Sequence, residues 1–334
     1  MTAELQALFA ESAHELFSSE VDENTLRAAE GGTWPRALWK HVEESGYTTL
    51  FDDDELGATW NEAYPIIAAA SEALAPIPLA ETLIAGWLLR QAGIEQPPGP
   101  LTIVPDASDV AHMQGVPWGR AAEHAVAVIP GALESSVVLY RIAHLRVTPG
   151  KNAADEPRDT LDAAAAGPVK SAALPGNLPA DVVQRFGALV RAVQMAGAVN
   201  RILEQSVRFA KEREQFGKQI GSYQAISHQL AILTEEKIAA EVASAYAWRE
   251  LASDAKSNAA GVAKIRAGRA AGIATTIGHA VHAAIGMTRE HTLHFATRRL
   301  WSWRAEFGSE SHWARKLGED VVARGGANFW SDIT

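Results

Sequence analysis

The chain contains no cysteine. That absence removes disulfides, thiolate nucleophiles and cysteine-ligated metal centres together. Nor is there a run of about eighteen apolar residues, the minimum for a membrane-spanning helix. The N-terminal stretch MTAELQALFAESAHELF mixes acidic and apolar side chains and lacks the basic-then-apolar layout of a secretion signal. A cytoplasmic location with no membrane attachment is therefore expected. Positive charge is also scarce, with 30 Lys and Arg against 40 Asp and Glu and a net charge of −10, which argues against a nucleic-acid binder. The cations concentrate instead at 208–218 and at Arg298, Arg299 and Arg304. Local positive spots on an acidic protein suit a small anion better than a polyanion.

Several signatures are missing as well. No G-x-G-x-x-G, no G-x-x-x-x-G-K-[ST] and no G-x-S-x-G occurs, so a dinucleotide fold, a P-loop and a nucleophile elbow find no support. A di-iron bundle needs two Glu-x-x-His pairs, and only Glu11–His14 has that spacing. His279 with His282, and His291 with His294, could each share a helix face, but no facing carboxylates accompany them. Polar contacts or helix caps explain these histidines better than a metal.

What is present reads as a helix-rich protein of 334 residues, 47% hydrophobic and 21% charged. Residues 1–98 carry apolar side chains at helical spacing over Trp34–Ser45, Trp60–Leu74 and Leu79–Gln91, with an acidic loop at Phe51–Leu56. The character changes at Gln96-Pro-Pro-Gly-Pro100. Short apolar runs at Leu101–Val104, Ala125–Ile129, Val137–Tyr140 and Leu145–Val147 predict strands, and 150–180 predicts loop with one further strand. From 179 to 334 the three-and-four periodicity returns. One helix runs from Ala180 to a stop at Gly217, a second is capped by Ser222, and others span Ala259–Ala284, Arg289–Phe307 and Ser309–Ala323. The expected fold is thus mainly α with a small β middle domain, in three parts: 1–98, 99–178 and a C-terminal helical bundle over 179–334.

Two clusters carry candidate chemistry. Arg208–Leu230, RFAKEREQFGKQIGSYQAISHQL, packs four cations, an amide-rich turn and three aromatics between two helices. It reads either as a basic helix end that suits the helix dipole or as an anion-binding corner. Arg298, Arg299, Trp301, Trp303 and Arg304 form the second cluster, either a packed amphipathic face or a phosphate or interface contact.

Arg213-Glu-Gln-Phe-Gly-Lys-Gln-Ile-Gly-Ser-Tyr-Gln224 resembles the R-x-x-F-G-x-x-[IL]-x-x-[FY]-Q signature of acyl-CoA dehydrogenases. The segment Val281–His291, followed by His294, Arg298 and Arg299, resembles that family's Q-x-H-G-G-x-G-[FY]-T-x-E-H stretch. The resemblance implies α,β-dehydrogenation of an acyl-CoA thioester, in which a glutamate takes the α-proton and FAD accepts the β-hydride. It also implies FAD contacts across a subunit interface from Arg213, Gln215, Phe216 and Gln224, hence an oligomer, with electron-transfer flavoprotein or a similar acceptor downstream.

Against that pattern the reaction centre is incomplete. The two positions where family members place the base hold Gly187, twenty-six residues before Arg213, and Phe307. Glu306 and Glu310 flank the latter and are the substitute candidates, with Glu290 of the T-x-E-H stretch behind them. The middle-domain T-E-P-x-x-G-S-D motif is represented only by Thr102–Asp109, without its glycine, and the stretch that should carry Gln-x-His-Gly-Gly has Ala280, Ala283 and Ala284. The chain keeps residues that reach toward a neighbour's FAD and lacks those that would use its own. This resembles the short, base-lacking subunit of heteromeric acyl-CoA dehydrogenases, and an α₂β₂ assembly with a catalytic paralogue is expected. A homo-oligomer using Glu306 or Glu310, and an FAD-free binding or scaffold protein, are the alternatives.

Overall fold

The computed structural model describes residues 2–52 and 57–325. Most of the expected acidic loop, Asp53–Leu56, lies outside the described residues. Among the described residues, no helix is long and apolar enough to cross a membrane.

Five helices come first: α1 (Thr2–Glu20), α2 (Glu23–Glu30), α3 (Arg36–Glu44), α4 (Trp60–Glu72) and α5 (Leu79–Gln91). α4 starts at a capping box in which Thr59 accepts from the first turn and Glu62 bonds back to the Thr59 N–H. α5 begins and ends where its apolar periodicity does. The Trp60 side chain at the start of α4 ties these helices to the rest, packing on Phe51, Trp87, Phe186 and Trp248 with ring centroids 4.8–5.6 Å apart.

The middle region is a small sandwich. β1 (Leu101–Ile103), β3 (His124–Ile129), β4 (Ser136–Arg141) and β7 (Lys170–Ala173) form one sheet in the order β1-β3-β4-β7, with β1 and β3 parallel. β2 (Met113–Pro117), β6 (Arg158–Asp162) and β5 (Arg146–Thr148) form the other. Side chains alternate across a strand. Along β3, Ala125 and Ala127 therefore face the second sheet, while Val126 and Val128 join the helical core. α5 is pinned to β1 by a reciprocal pair: the Leu101 N–H donates to Thr82 Oγ1, which donates back to the Leu101 carbonyl.

Five helices follow: α6 (Val182–Glu212), α7 (Gln224–Ser253), α8 (Ala259–Gly286), α9 (Leu293–Ala305) and α10 (Glu310–Arg324). α6 runs through the middle of the molecule, and nearly all its first five turns are buried. α8 buries Ala263, Ala267, Gly268, Ala270, Ala271 and Ala274, small residues that let neighbouring helix backbones approach.

Three expectations need correction. α6 stops at Glu212, not at Gly217, because a two-stranded hairpin, β8 (Glu214–Gln215) and β9 (Lys218–Gln219), intervenes. Ser222 does not cap α7; its hydroxyl donates to the Gln219 carbonyl inside a short 3₁₀ turn, and Tyr223 is the N-cap. The stretch 150–180, expected as loop with one further strand, holds two, β6 and β7.

Candidate functional site

The hairpin after α6 builds the first half of the site. Phe216 and Gly217 at its tip have φ of 52° and 82°, the pair of left-handed conformations that a two-residue turn requires. Phe216 accepts the cost of that conformation and projects outward, 92% exposed. The Ile220 N–H donates to the Arg213 carbonyl at 2.9 Å and closes the base of the hairpin. Tyr223 Oη donates to the Gln215 carbonyl, and Lys218 Nζ lies 4.3 Å from the Tyr223 ring centre. The exposed Arg213 guanidinium has no hydrogen-bond or ion-pair partner among the described residues.

Facing this arm is the end of α8. Ala283 breaks the helix there with φ 52° and ψ −137°, a region that glycine enters readily and alanine enters at a cost. Arm and kink enclose an open cleft of about 760 Å³, walled by Phe209, Phe216, Ile220 and Ile226 on one side and Ala280–Ile285 on the other. Arg213 and Gln215 line it. Gln224 does not; it opens α7 and its amide lies 3.4 Å from His228. A guanidinium fork for phosphate oxygens, the Gln215 amide and apolar walls fit the nucleotide end of FAD. The methyl groups of Ala283 and Ala284 narrow that cradle compared with glycine.

The second half lies where α6 meets the turn between α9 and α10. Gly187, one turn before Arg191 on α6, and Phe307, in the turn between α9 and α10, are 120 positions apart but meet in space. A Cβ at Gly187 would lie 2.2 Å from Phe307 Cδ1, so the ring fills the notch that the glycine leaves. Phe307 is buried with φ 51°, and the Arg191 guanidinium sits 5.3 Å from its ring centre. The turn is clamped on three sides. Lys264 Nζ donates to the carbonyls of Arg304 and Gly308, at 2.7 and 2.9 Å, and Trp313 Nε1 donates to the Phe307 carbonyl. Burial pushes the Lys264 amine down to about 7, against a partial pull upward from Glu310 and Glu306.

Glu306 is not poised as a base. Its carboxylate accepts from Arg158 Nε at 2.8 Å, Arg191 Nε at 2.7 Å and Asn152 Nδ2 at 3.1 Å. Burial alone would raise its pKa, but the two guanidiniums outweigh burial and bring it down to about 2. A carboxylate so stabilised is a poor acceptor for a carbon-bound proton. The pairing continues on both sides. Arg191 also holds Glu81 of α5 at 2.8 Å, and Arg158 also holds Glu156, which in turn takes Arg299 Nε and Trp303 Nε1 at 3.0 Å each. Three carboxylates and three guanidiniums thus form one buried, charge-balanced network joining α5, α6, α9 and the β region. The crevice beside it has about 20 Å³ left, space for a single water.

Glu310 is the first residue of α10, half-buried, and bonded to Arg304 Nε at 2.7 Å. It borders a separate open groove with Arg269 and Thr276. Glu290 is exposed in the turn before α9. The Arg298–Arg304 cluster is absorbed internally: Arg298 pairs with Glu30 and Asp155, Arg299 with Glu156, and Arg304 stacks 4.8 Å from the Trp301 ring. Thr102, nearest equivalent of the flavin-covering motif, is buried in β1 with its hydroxyl on the Pro117 carbonyl. The histidines pack on rings, with His282 4.7 Å from Phe209 and 4.6 Å from His291. No group of three or more His, Asp or Glu suited to a metal occurs among the described residues.

Residues 185–315, which hold the arm, the kink and the Gly187–Phe307 contact, match the family described as acyl-CoA dehydrogenase, C-terminal domain. Over that C-terminal stretch the chain is similar to this family. It is 27% identical over 294 residues to the acyl-CoA dehydrogenase IpdE2 of Mycobacterium tuberculosis, covering 86% of this chain and 87% of that protein. With IpdE2 of Mycolicibacterium smegmatis it shares 26% over 331 residues, covering 96% and 99% of the two chains. Its fold superposes on a chain of the ChsE4-ChsE5 complex from Mycobacterium tuberculosis with a TM-score of 0.85 at 17% identity, over 96% of this chain and 97% of that one. The chain therefore shares that fold over nearly its whole length, and within it the Phe307 ring is packed against Gly187.

Sequence inspection missed Arg191, Glu81, Arg158, Glu156 and Lys264. Arg191 and Lys264 did leave a trace, since each is a cation on the apolar face of its helix.

Proposed function

We propose that this chain is the non-base-bearing subunit of a heteromeric FAD-dependent acyl-CoA dehydrogenase, acting with a paralogue that supplies the catalytic glutamate. The observation that carries the reading is the Phe307 ring seated in the Gly187 notch: the place for a base is filled by packed hydrocarbon. The buried ion network beside it leaves no volume for an acyl chain. The arm bearing Arg213, Gln215 and Phe216, by contrast, stands open with its guanidinium unengaged. Similarity in fold to a chain of the ChsE4-ChsE5 complex supports a two-protein assembly.

On this reading Arg213 binds the pyrophosphate of a cofactor seated mainly in the partner, and Gln215 and Phe216 orient its adenosine. The arm and the α8 end also shield that cofactor from water. FAD, when bound, supplies the hydride acceptor for α,β-dehydrogenation of the acyl-CoA. This chain moves no proton, because Glu306 is held ionised by Arg158 and Arg191. An electron-transfer flavoprotein or similar acceptor completes the proposal.

The test is Arg213→Ala in the co-purified complex. Flavin content per complex should fall at least tenfold after gel filtration, with the subunit ratio unchanged. Full flavin retention contradicts the assignment.

A further inference from the structure

The outer side of α7 is apolar where a surface helix is ordinarily polar. Its inner side buries Leu233, Ala240, Ser244, Ala247, Trp248 and Leu251. On the opposite side Ile238, Val242 and Tyr246 are 51%, 62% and 52% exposed. Steps of four keep the three in one row along the helix. Single apolar side chains on a surface are ordinary, but a row of large ones marks a contact face. Ala239 and Ala245 flank the row, and their small size lets another helix approach closely.

The row ends in charge. Glu235 lies three residues before Ile238 and Arg249 three after Tyr246, and both are exposed. The order Glu-x-x-Ile-x-x-x-Val-x-x-x-Tyr-x-x-Arg is thus symmetric in spacing about Val242, with an acid at one end and a base at the other. Neighbouring charges on α7 are spoken for: Lys237 pairs with Glu241 at 2.6 Å, and Glu236 with Arg266 of α8. Glu235 and Arg249 have no hydrogen-bond or ion-pair partner among the described residues. Nor can they meet within one copy, since the helix holds them about 21 Å apart.

A second α7 laid antiparallel along the row satisfies both. A two-fold axis at Val242 sets Glu235 of each copy beside Arg249 of the other, Ile238 beside Tyr246, and Val242 on Val242. A parallel, in-register pairing opposes Glu235 to Glu235 and Arg249 to Arg249 instead. Charge therefore selects both the occupant and its direction: a face complementary to itself fits another copy of the same chain.

We propose that two copies of this chain associate through the Glu235–Arg249 face of α7, antiparallel about Val242. Val242 lies about 27 Å along α7 from Gln224, so the contact is centred well away from the Arg213 cleft. The proposal goes beyond the heteromer and does not rest on it.

Sedimentation velocity of the full chain over a concentration series tests it, using wild type and charge-swapped variants. Wild type should pass from one chain to two as concentration rises. Glu235→Arg and Arg249→Glu each bring like charges together at both ends of the contact. Either should weaken the dimer by about tenfold or more, while Glu235→Arg/Arg249→Glu restores the opposition and should return it to within about threefold of wild type. Both side chains are exposed, so far-UV circular dichroism should be the same for all four proteins. The chain has no cysteine, so Val242→Cys introduces a single thiol on the axis. Mild oxidation should join two copies of that variant and should not join Leu8→Cys, an exposed control on α1. The proposal is overturned by a wild type that stays monomeric at every concentration, by single swaps without effect, or by a double swap that fails to restore association. It is equally overturned if a photoreactive probe on Val242→Cys in the co-purified complex captures the paralogue instead of a second copy.

Discussion

Glu306→Gln separates a structural carboxylate from a catalytic one. The wild-type carboxylate accepts from Arg158 and Arg191 in a buried network, so the amide leaves two guanidiniums without full compensation. Breaking a buried pair from one side costs about 3–5 kcal/mol. The pKa gives a consistent scale: lowering a carboxyl from 4.5 to about 2 corresponds to about 3 kcal/mol of preference for the charged form. Urea unfolding at pH 7 should therefore show a loss of about 3–5 kcal/mol. The sign of its pH dependence follows. Between 4.5 and about 2 the unfolded chain binds a proton that the folded chain holds off, so this part of wild-type stability is present above 4.5 and is lost as pH falls toward 2. The glutamine cannot titrate, and the gap between the two proteins should narrow by about 1 kcal/mol at pH 3.5. A loss below about 1 kcal/mol at pH 7, or one that does not change with pH, refutes the structural role. Unchanged stability with loss of turnover in a flavin-loaded protein would instead identify Glu306 as the base.

Two further expectations concern the same turn. Gly187→Ala drives a methyl into the Phe307 ring and should cost about 1–3 kcal/mol, Phe307→Ala about 3–5 kcal/mol, and the double variant less than their sum, as a double-mutant cycle of urea melts would record. The Lys264 amine lies at about 7 when folded against an ordinary 10.5, so the unfolded chain binds more protons between those limits and stability rises with pH. Relative to Lys264→Met, wild type should gain about 2 kcal/mol from pH 7 to pH 9 in urea melts; a constant difference removes the buried-amine argument.

The helices were legible where local spacing dictates them. α5 was bounded correctly at both ends because Leu79–Gln91 carries apolar residues throughout and lies between prolines and a glycine. β2, β6 and β7 were hard to see because MQGVP, RDTLD and KSAA are short and mixed with polar or turn residues; their partners, not their composition, make them strands. Gly217 was a sound stop signal attached to the wrong element: it turns a hairpin after the helix has already ended. At the site, Gly187 and Phe307 were each visible as departures from a family pattern. That they touch was not, since only the folded chain relates positions so far apart. The ion network was invisible for the same reason, with Arg191 reaching partners 110 and 115 residues away. Arg299, read as a possible phosphate or interface contact, proved to be one of its members.

The central claim is that this chain assists a dehydrogenase without being one alone. Its most direct test is the flavin content and acyl-CoA dehydrogenase turnover of the chain purified by itself, compared with the chain purified with its paralogue. The account predicts no turnover from the chain alone and flavin-dependent turnover from the complex. A yellow, active protein from this chain alone would contradict it.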